Sequence, residues 1–212
     1  MRLRFDEQLG LLHRELIAMG ALCEDAIATA AKALAEGSRS LAMKAPELSS
    51  EIAHRERLIE SMCMKLLLSQ QPVAKDLRVI SSALKMVTDL ERIGDNSGDI
   101  AEIVGMANIE PTDNTHTIQD MARAAIRMVT DSIDAFVKRD VALARVVIEY
   151  DDVVDGLFNR VKAELKEQLA DRSQNSEKAL DLLMIAKYFE RIGDHAVEVA
   201  RWVLYSITGS RE

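Results

Sequence analysis

The sequence predicts an all-α protein built as two tandem three-helix bundles related by internal duplication. The 212-residue chain carries only 9 glycines and 3 prolines, and aromatic residues make up 4%, so the turns and bulky strand residues of a β protein are lacking. Apolar residues recur at helical spacing over long stretches. The pentapeptide Glu-Arg-Ile-Gly-Asp occurs at Glu91 to Asp95 and again, unchanged, at Glu190 to Asp194, 99 residues later. Self-similarity at a fixed period marks a repeated structural unit.

The flanks extend the repeat. Val147, Asp151, Val154, Asp155, Leu157, Phe158 and Val161 match Ile52, Glu56, Ile59, Glu60, Met62, Cys63 and Leu66 at a constant offset of 95, apolar on apolar and acid on acid. Further upstream, the segment from Phe136 resembles that from Leu34 at an offset of 102. The differing offsets are absorbed in the loops.

Taken in order, amphipathic periodicity predicts helices over 4–36, 48–70 and 73–107, then 117–138, 141–170 and 176–207. Pro46, Pro72 and Pro111 all fall at the breaks, where a missing N–H and a fixed φ do least harm, and Pro72 suits the first turn of its helix. Thr117-Ile-Gln-Asp120 reads as a capping box. The segment Pro111 to His116 is the natural joint, giving a first bundle over 1–110 and a second over 111–212. A single six-helix bundle with a shared core is the rival arrangement.

Composition narrows the function. With 48% hydrophobic and 29% charged residues the chain can bury a core, and its formal charge of −8 disfavours nonspecific binding to nucleic acid or an anionic membrane. The longest runs free of charge, Leu66 to Ala74 and Trp202 to Ser210, are nine residues, against about 20 for a membrane span. Acidic Asp6 and Glu7 stand where a signal peptide would place its apolar region, so a cytoplasmic protein is expected. Cys23 and Cys63 lie within apolar helical patterns and read as reduced core residues.

The chemistry-bearing feature is a row of acids along the edge of each apolar stripe. Glu91 and Asp95 border the stripe of the third helix, with Asp99 continuing the row, and Glu56 and Glu60 border that of the second. Asp151 with Asp155, and Glu190 with Asp194, repeat the arrangement. Four carboxylates from two neighbouring helices repel one another unless they take up protons or a cation joins them. All-oxygen sites suit Mg²⁺, Mn²⁺, Ca²⁺ or iron, and with nearby nitrogens Zn²⁺. The bland alternative is a solvated helix shoulder, the commoner reading for any one such pair. Arg92 and Arg191 follow the glutamates but, about 100° around the helix, are expected to face elsewhere. Gly94 and Gly193 fall inside the stripe, where glycine costs about 1 kcal/mol against alanine, so a close approach is expected there, tight packing before a ligand. His195 is read as a packing or surface residue before an auxiliary ligand.

The duplicated signature at Leu90 to Asp95 and Phe189 to Asp194, the segment Gln71-Pro-Val-Ala-Lys-Asp-Leu-Arg78 and the three-helix repeat resemble the PhoU family of phosphate-specific transport system accessory proteins over nearly the whole chain. The resemblance implies a cytoplasmic, non-enzymatic negative regulator of phosphate uptake and of the phosphate-starvation two-component response. Its implied partners are the ATPase of the phosphate ABC transporter, a phosphate-sensing histidine kinase and a second copy of itself in a homodimer, with membrane association only through those partners. Family members carry acid pairs that hold metal clusters, which maps a divalent or multinuclear metal (iron, zinc, manganese or magnesium) onto Glu91 and Asp95, Asp151 and Asp155, and Glu190 and Asp194. Glu56 and Glu60 complete the set with a longer second arm than the family's aspartate.

Two other functions compete. A carboxylate-bridged dimetal enzyme, an oxidase or phosphohydrolase, would require Glu-x-x-His on two helices in its ferritin-like form, whereas only Glu51-x-x-His54 occurs; no P-loop or His-Glu-x-x-His pattern is present. A plain helical scaffold would use the acids for solubility alone.

Overall fold

A computed structural model describes residues 2–70, 73–107, 109–110, 115–170 and 176–210, with the side chains of these apart from 2–4, 69 and 70. Helix α1 spans Arg2–Glu36, a short α2 Arg39–Ala42, α3 Ala45–Gln70, α4 Ala74–Met106, α5 His116–Lys138, α6 Val141–Ala170 and α7 Ser176–Thr208. Among the described residues there is no strand. The protein is all-α, two three-helix units (α1, α3, α4 and α5, α6, α7) in tandem.

The same local chemistry ends the first helix of each unit. After α1, Gly37 adopts a left-handed φ of 58°, the Ser38 N–H bonds the Ala33 carbonyl at 2.9 Å and the Gly37 N–H that of Leu34. After α5, Arg139 takes φ 55°, with Asp140 N–H on Ala135 and Arg139 N–H on Phe136. Both are Schellman-type stops, and Gly37 and Arg139 are partners at the 102-residue offset. The two stops lead into different helix starts. Asp140 Oδ1 accepts the Leu143 N–H at 3.0 Å and starts α6 at once, whereas Ser38 Oγ accepts from Leu41 and starts α2.

Three expectations need correction. α2 has no counterpart in the predicted helices, since four residues give no periodicity to read. Helix α3 begins at Ala45 rather than 48, taking Pro46 into its first turn, where proline's lost N–H has no helical partner in any case. The capping box at Thr117 does not form: α5 begins a residue earlier, Thr115 is the N-cap without a side-chain cap bond, and Thr117 Oγ1 instead donates to Glu164 of α6 at 2.9 Å. Pro72 and Pro111 lie outside the described residues.

The two units pack through α4 against α7 and α1 against α5, while among the described residues α3 packs on α1 and α4, and α6 on α5 and α7. Helices α4 and α7 run antiparallel: Arg78 lies beside Gly209, Asp89 beside His195 and Asp99 beside Tyr188, so the numbers fall on one helix as they rise on the other. On the other seam, His13 meets Phe136 edge-on at 5.2 Å and Thr130 Oγ1 donates to Glu24 at 2.9 Å. One continuous core results, with Leu16, Ile27, Val87, Leu90, Phe189 and Ile192 all fully buried, each contributing about 1.5–3 kcal/mol by burial. Outer helix α6 buries five of its 30 residues, whereas α7 buries 14 of 33. The acids of α3 and α6 thus sit on the outer helices, facing those of α4 and α7 on the central ones.

Candidate functional site

Helices α6 and α7 build the second-half site. Gly193 faces α6: a Cβ there would stand 3.3 Å from Asp151 Oδ1, 3.4 Å from Val154 Cγ1 and 3.7 Å from Met128 Sδ of α5. The missing side chain lets the Asp151 carboxylate fold down against α7. There its Oδ1 is buried without a hydrogen-bond partner, a costly state for a charged oxygen. The consequence is electrostatic. Burial first, then Asp194, Asp155, Glu190 and Asp152, raise the Asp151 pKa to about 6. Asp194 is likewise raised, by burial and then Glu190.

Cationic relief is partial and comes from α7 itself. Lys187 pairs with Glu190, one turn away on the same helix, and its ammonium lies 5.4 Å from the centre of the Phe158 ring. The sequence reading missed Lys187, although its i,i+3 spacing to Glu190 was a usable signal. The Nδ1 of His195 meets Asp89 Oδ1 at 3.1 Å across the α4–α7 seam.

The first half places its acids in the same order with a different balance. The Glu56 pKa is raised by burial, then by Glu91 and Glu60, and lowered by Arg57 and Arg92. Glu91 is raised by burial and then Asp95. Here the expectation for Arg92 fails. Its Nη1 reaches Asp95 Oδ2 at 3.1 Å and its Nε lies 3.7 Å from Glu91 Oε2, because a long guanidinium arm bends back over the turn that its Cα–Cβ vector leaves. Arg92 is 56% exposed, so these pairs stabilise the helix little but do neutralise part of the row. Arg191 lies instead over the Tyr188 ring at 5.7 Å. Gly94 is the tight-packing case: a Cβ there would meet Ile52 Cδ1 at 2.8 Å.

The structure thus makes each predicted quartet electrostatic neighbours. It does not draw them into a ligand shell: among the described residues no three His, Cys, Asp or Glu side chains are gathered closely enough to hold a metal ion. The second half nevertheless suits a hard cation. It has an unpartnered buried carboxylate oxygen, three further predicted acids acting on it and only oxygen donors, the chemistry that Mg²⁺, Mn²⁺ or iron favours. In the first half Arg92 already occupies Glu91 and Asp95. Among the described residues no helix is long and apolar enough to cross a membrane.

Comparison with known proteins gives a consistent picture. The family model described as PhoU domain matches twice, over residues 16–104 and 118–203. The chain is 35% identical over 209 residues to the "Phosphate-specific transport system accessory protein PhoU homolog" of Clostridium acetobutylicum, covering 98% of this chain and 95% of that one. It is 32% identical to the protein of the same description from Pseudomonas aeruginosa, over 98% of this chain and 86% of that one. The crystal structure of PhoU from Pseudomonas aeruginosa superposes with a TM-score of 0.91 at 32% identity, over 97% of this chain and 100% of that one. A phosphate transport system regulatory protein PhoU from Streptococcus pneumoniae, 24% identical, shares the fold with a TM-score of 0.91 over 98% of this chain and 99% of that one.

Proposed function

The chain belongs to the PhoU family, and on that footing we propose that it is a non-enzymatic, cytoplasmic accessory regulator of phosphate uptake. It joins the ATPase of the phosphate ABC transporter to the phosphate-sensing histidine kinase, as a homodimer, and holds the starvation response off while phosphate is abundant. The observation that carries this reading is the whole-chain match, through both repeats, to proteins described as accessory to phosphate transport. An adaptor of this kind works only by differential affinity. It must bind the transporter more tightly in one state than in another, and favour the inactive kinase by the free energy of that difference.

The acids form the second part of the proposal. Asp151, Asp155, Glu190 and Asp194 would hold a divalent or multinuclear metal, with Glu56, Glu60, Glu91 and Asp95 as the corresponding first-half set. A bound cation would supply the positive charge that lets these carboxylates stay ionised together. The chain's own contribution is positional: Gly193 admits the Asp151 carboxylate, and α6 and α7 fix the four acids on rigid helices. The division into units 1–110 and 111–212 belongs to the same reading.

Purified protein bearing an affinity tag, mixed with the transporter ATPase or the kinase at high phosphate, tests the adaptor. Capture of both, lost when phosphate is withdrawn, is expected. Capture of neither contradicts it.

A further inference from the structure

The first repeat leaves open a groove that the second repeat fills. Between α2, the first turn of α3 and the last three turns of α4 lies a depression of about 550 Å³. Its small floor residues include Gly98 and Gly105, its acids are Asp95, Asp99 and Glu102, and Met43 and Met106 stand at its edges. At Gly98 a Cβ would come 3.0 Å from Ser49 Oγ, a tight approach to α3. Gly105 is not so constrained: its nearest neighbour would be Ala42 Cβ at 3.8 Å, an ordinary contact.

Ninety-nine residues on, the positions of Gly98, Glu102, Gly105 and Met106 are taken by Val197, Arg201, Leu204 and Tyr205. Val197 and Leu204 are 5% and 1% exposed. Arg201 turns onto Glu198 at 2.5 Å, and Tyr205 packs edge-on to Trp202 at 5.9 Å. The second unit thus closes this place with its own side chains and pairs its own acid. The first unit has glycine for leucine, acid for arginine and an exposed methionine for tyrosine, and adds α2, whose end carries Met43. Met43 and Met106 are 79% and 73% exposed. Such exposure forgoes the burial energy that the second unit collects.

We propose that this groove docks a basic amphipathic helix of a partner protein. The helix's apolar face would rest on Met43 and Met106, and its Lys or Arg side chains would meet the acidic edge. Charge complementarity selects this occupant. Arg92 bonds Asp95 and Tyr188 lies beside Asp99, so exposed Glu102 is the leading attraction. Unbranched, polarisable methionine adapts to the apolar face of an incoming helix. The inference rests on the adaptor reading only in taking the chain to act by holding other proteins.

The test uses a fluorescent Leu/Lys amphipathic helical peptide of about five turns, titrated with the full chain in chelator at physiological salt and followed by anisotropy. Saturable binding is expected, with at least about tenfold weaker binding for Glu102→Arg. Asp134→Arg, the same change of net charge on the exposed face of α5 where Asp134 pairs with Lys138, should cost under about twofold. Gly105→Leu, which installs the second repeat's residue, should weaken binding about tenfold, and Met106→Ser at its exposed position supports the same conclusion without altering the core. No binding overturns the proposal. So do equal effects of the two charge reversals, indifference to both Gly105→Leu and Met106→Ser, equal binding of a Leu/Glu or phase-scrambled peptide, or self-association of the chain that Gly105→Leu abolishes. Peptide binding as described without capture of ATPase or kinase would leave the groove standing and remove the adaptor. Capture without groove-dependent peptide binding would do the reverse.

Discussion

Asp151 Oδ1 lies 3.3 Å from where a Cβ on Gly193 would stand, whereas the same addition at its repeat partner Gly94 meets Ile52 Cδ1 at 2.8 Å. The two glycines thus serve different ends, one admitting a carboxylate and the other an aliphatic core residue. Overpacking against fully buried Ile52 costs about 1–3 kcal/mol against a helix gain of about 1 kcal/mol, so Gly94→Ala should destabilise by up to about 2 kcal/mol. Gly193→Ala should change stability by less than about 1 kcal/mol, because Asp151 can turn outward. Urea unfolding of the two variants separates these outcomes; equal losses would show that both glycines serve packing alone.

His13 supplies a pH dependence. Burial, and then Arg139, lower its pKa below the ordinary value of 6.5. The unfolded chain therefore takes up a proton at a pH where the folded chain does not, and stability is lost as pH falls from about 6.5 through the folded value. His13→Phe keeps an aromatic ring against Phe136 and removes the titration. The fall in urea midpoint between neutral pH and about pH 5 should be smaller in the variant than in the parent; an identical fall in both would assign the effect to other groups.

Arg139 holds the left-handed φ of 55° that Gly37 takes at the matching turn. A non-glycine residue in that region costs roughly 1–2 kcal/mol, partly offset in any exchange by glycine's larger unfolded entropy. Arg139→Gly should therefore stabilise by about 0.5–1 kcal/mol, raising the melting temperature. A lower melting temperature would show that the Arg139 side chain contributes more than its backbone costs.

Both cysteines are free and buried. Burial and then Glu60 push the Cys63 thiol up to about 12. Cys23 is raised further, by burial and then Glu24, and its thiol donates to the Leu90 carbonyl at 3.3 Å. Thiol-reactive chromophores should modify neither in the folded protein, with rates on the order of a hundredfold faster in denaturant. Rapid labelling at neutral pH would contradict the packing of α1 and α3.

The six long helices were legible because long apolar periodicity needs no tertiary information, and the duplication was legible because Glu-Arg-Ile-Gly-Asp recurs unchanged. The features that escaped depended on reach and partners. Helix α2 is shorter than one reading window. Thr117 had a capping spacing, but its hydroxyl found Glu164 of α6, a partner 47 residues away. Arg92 was misplaced because helical rotation locates Cβ atoms and not the end of a guanidinium. The acid rows could be read from the spacing of Glu56, Glu60, Glu91 and Asp95 and of their repeats, but not the difference between them, which lies in Arg92 on one side and the unpartnered oxygen of Asp151 on the other.

The most direct test of the central proposal, that the carboxylates of α6 and α7 take up a cation, is calorimetric titration of chelator-stripped protein with Mn²⁺ at neutral pH, comparing the parent with Glu190→Ala plus Asp194→Ala. Saturable binding by the parent is expected, with one site fewer in the double variant and an unchanged far-ultraviolet helical signal. No binding by the parent, or the same stoichiometry in both proteins, would contradict the claim.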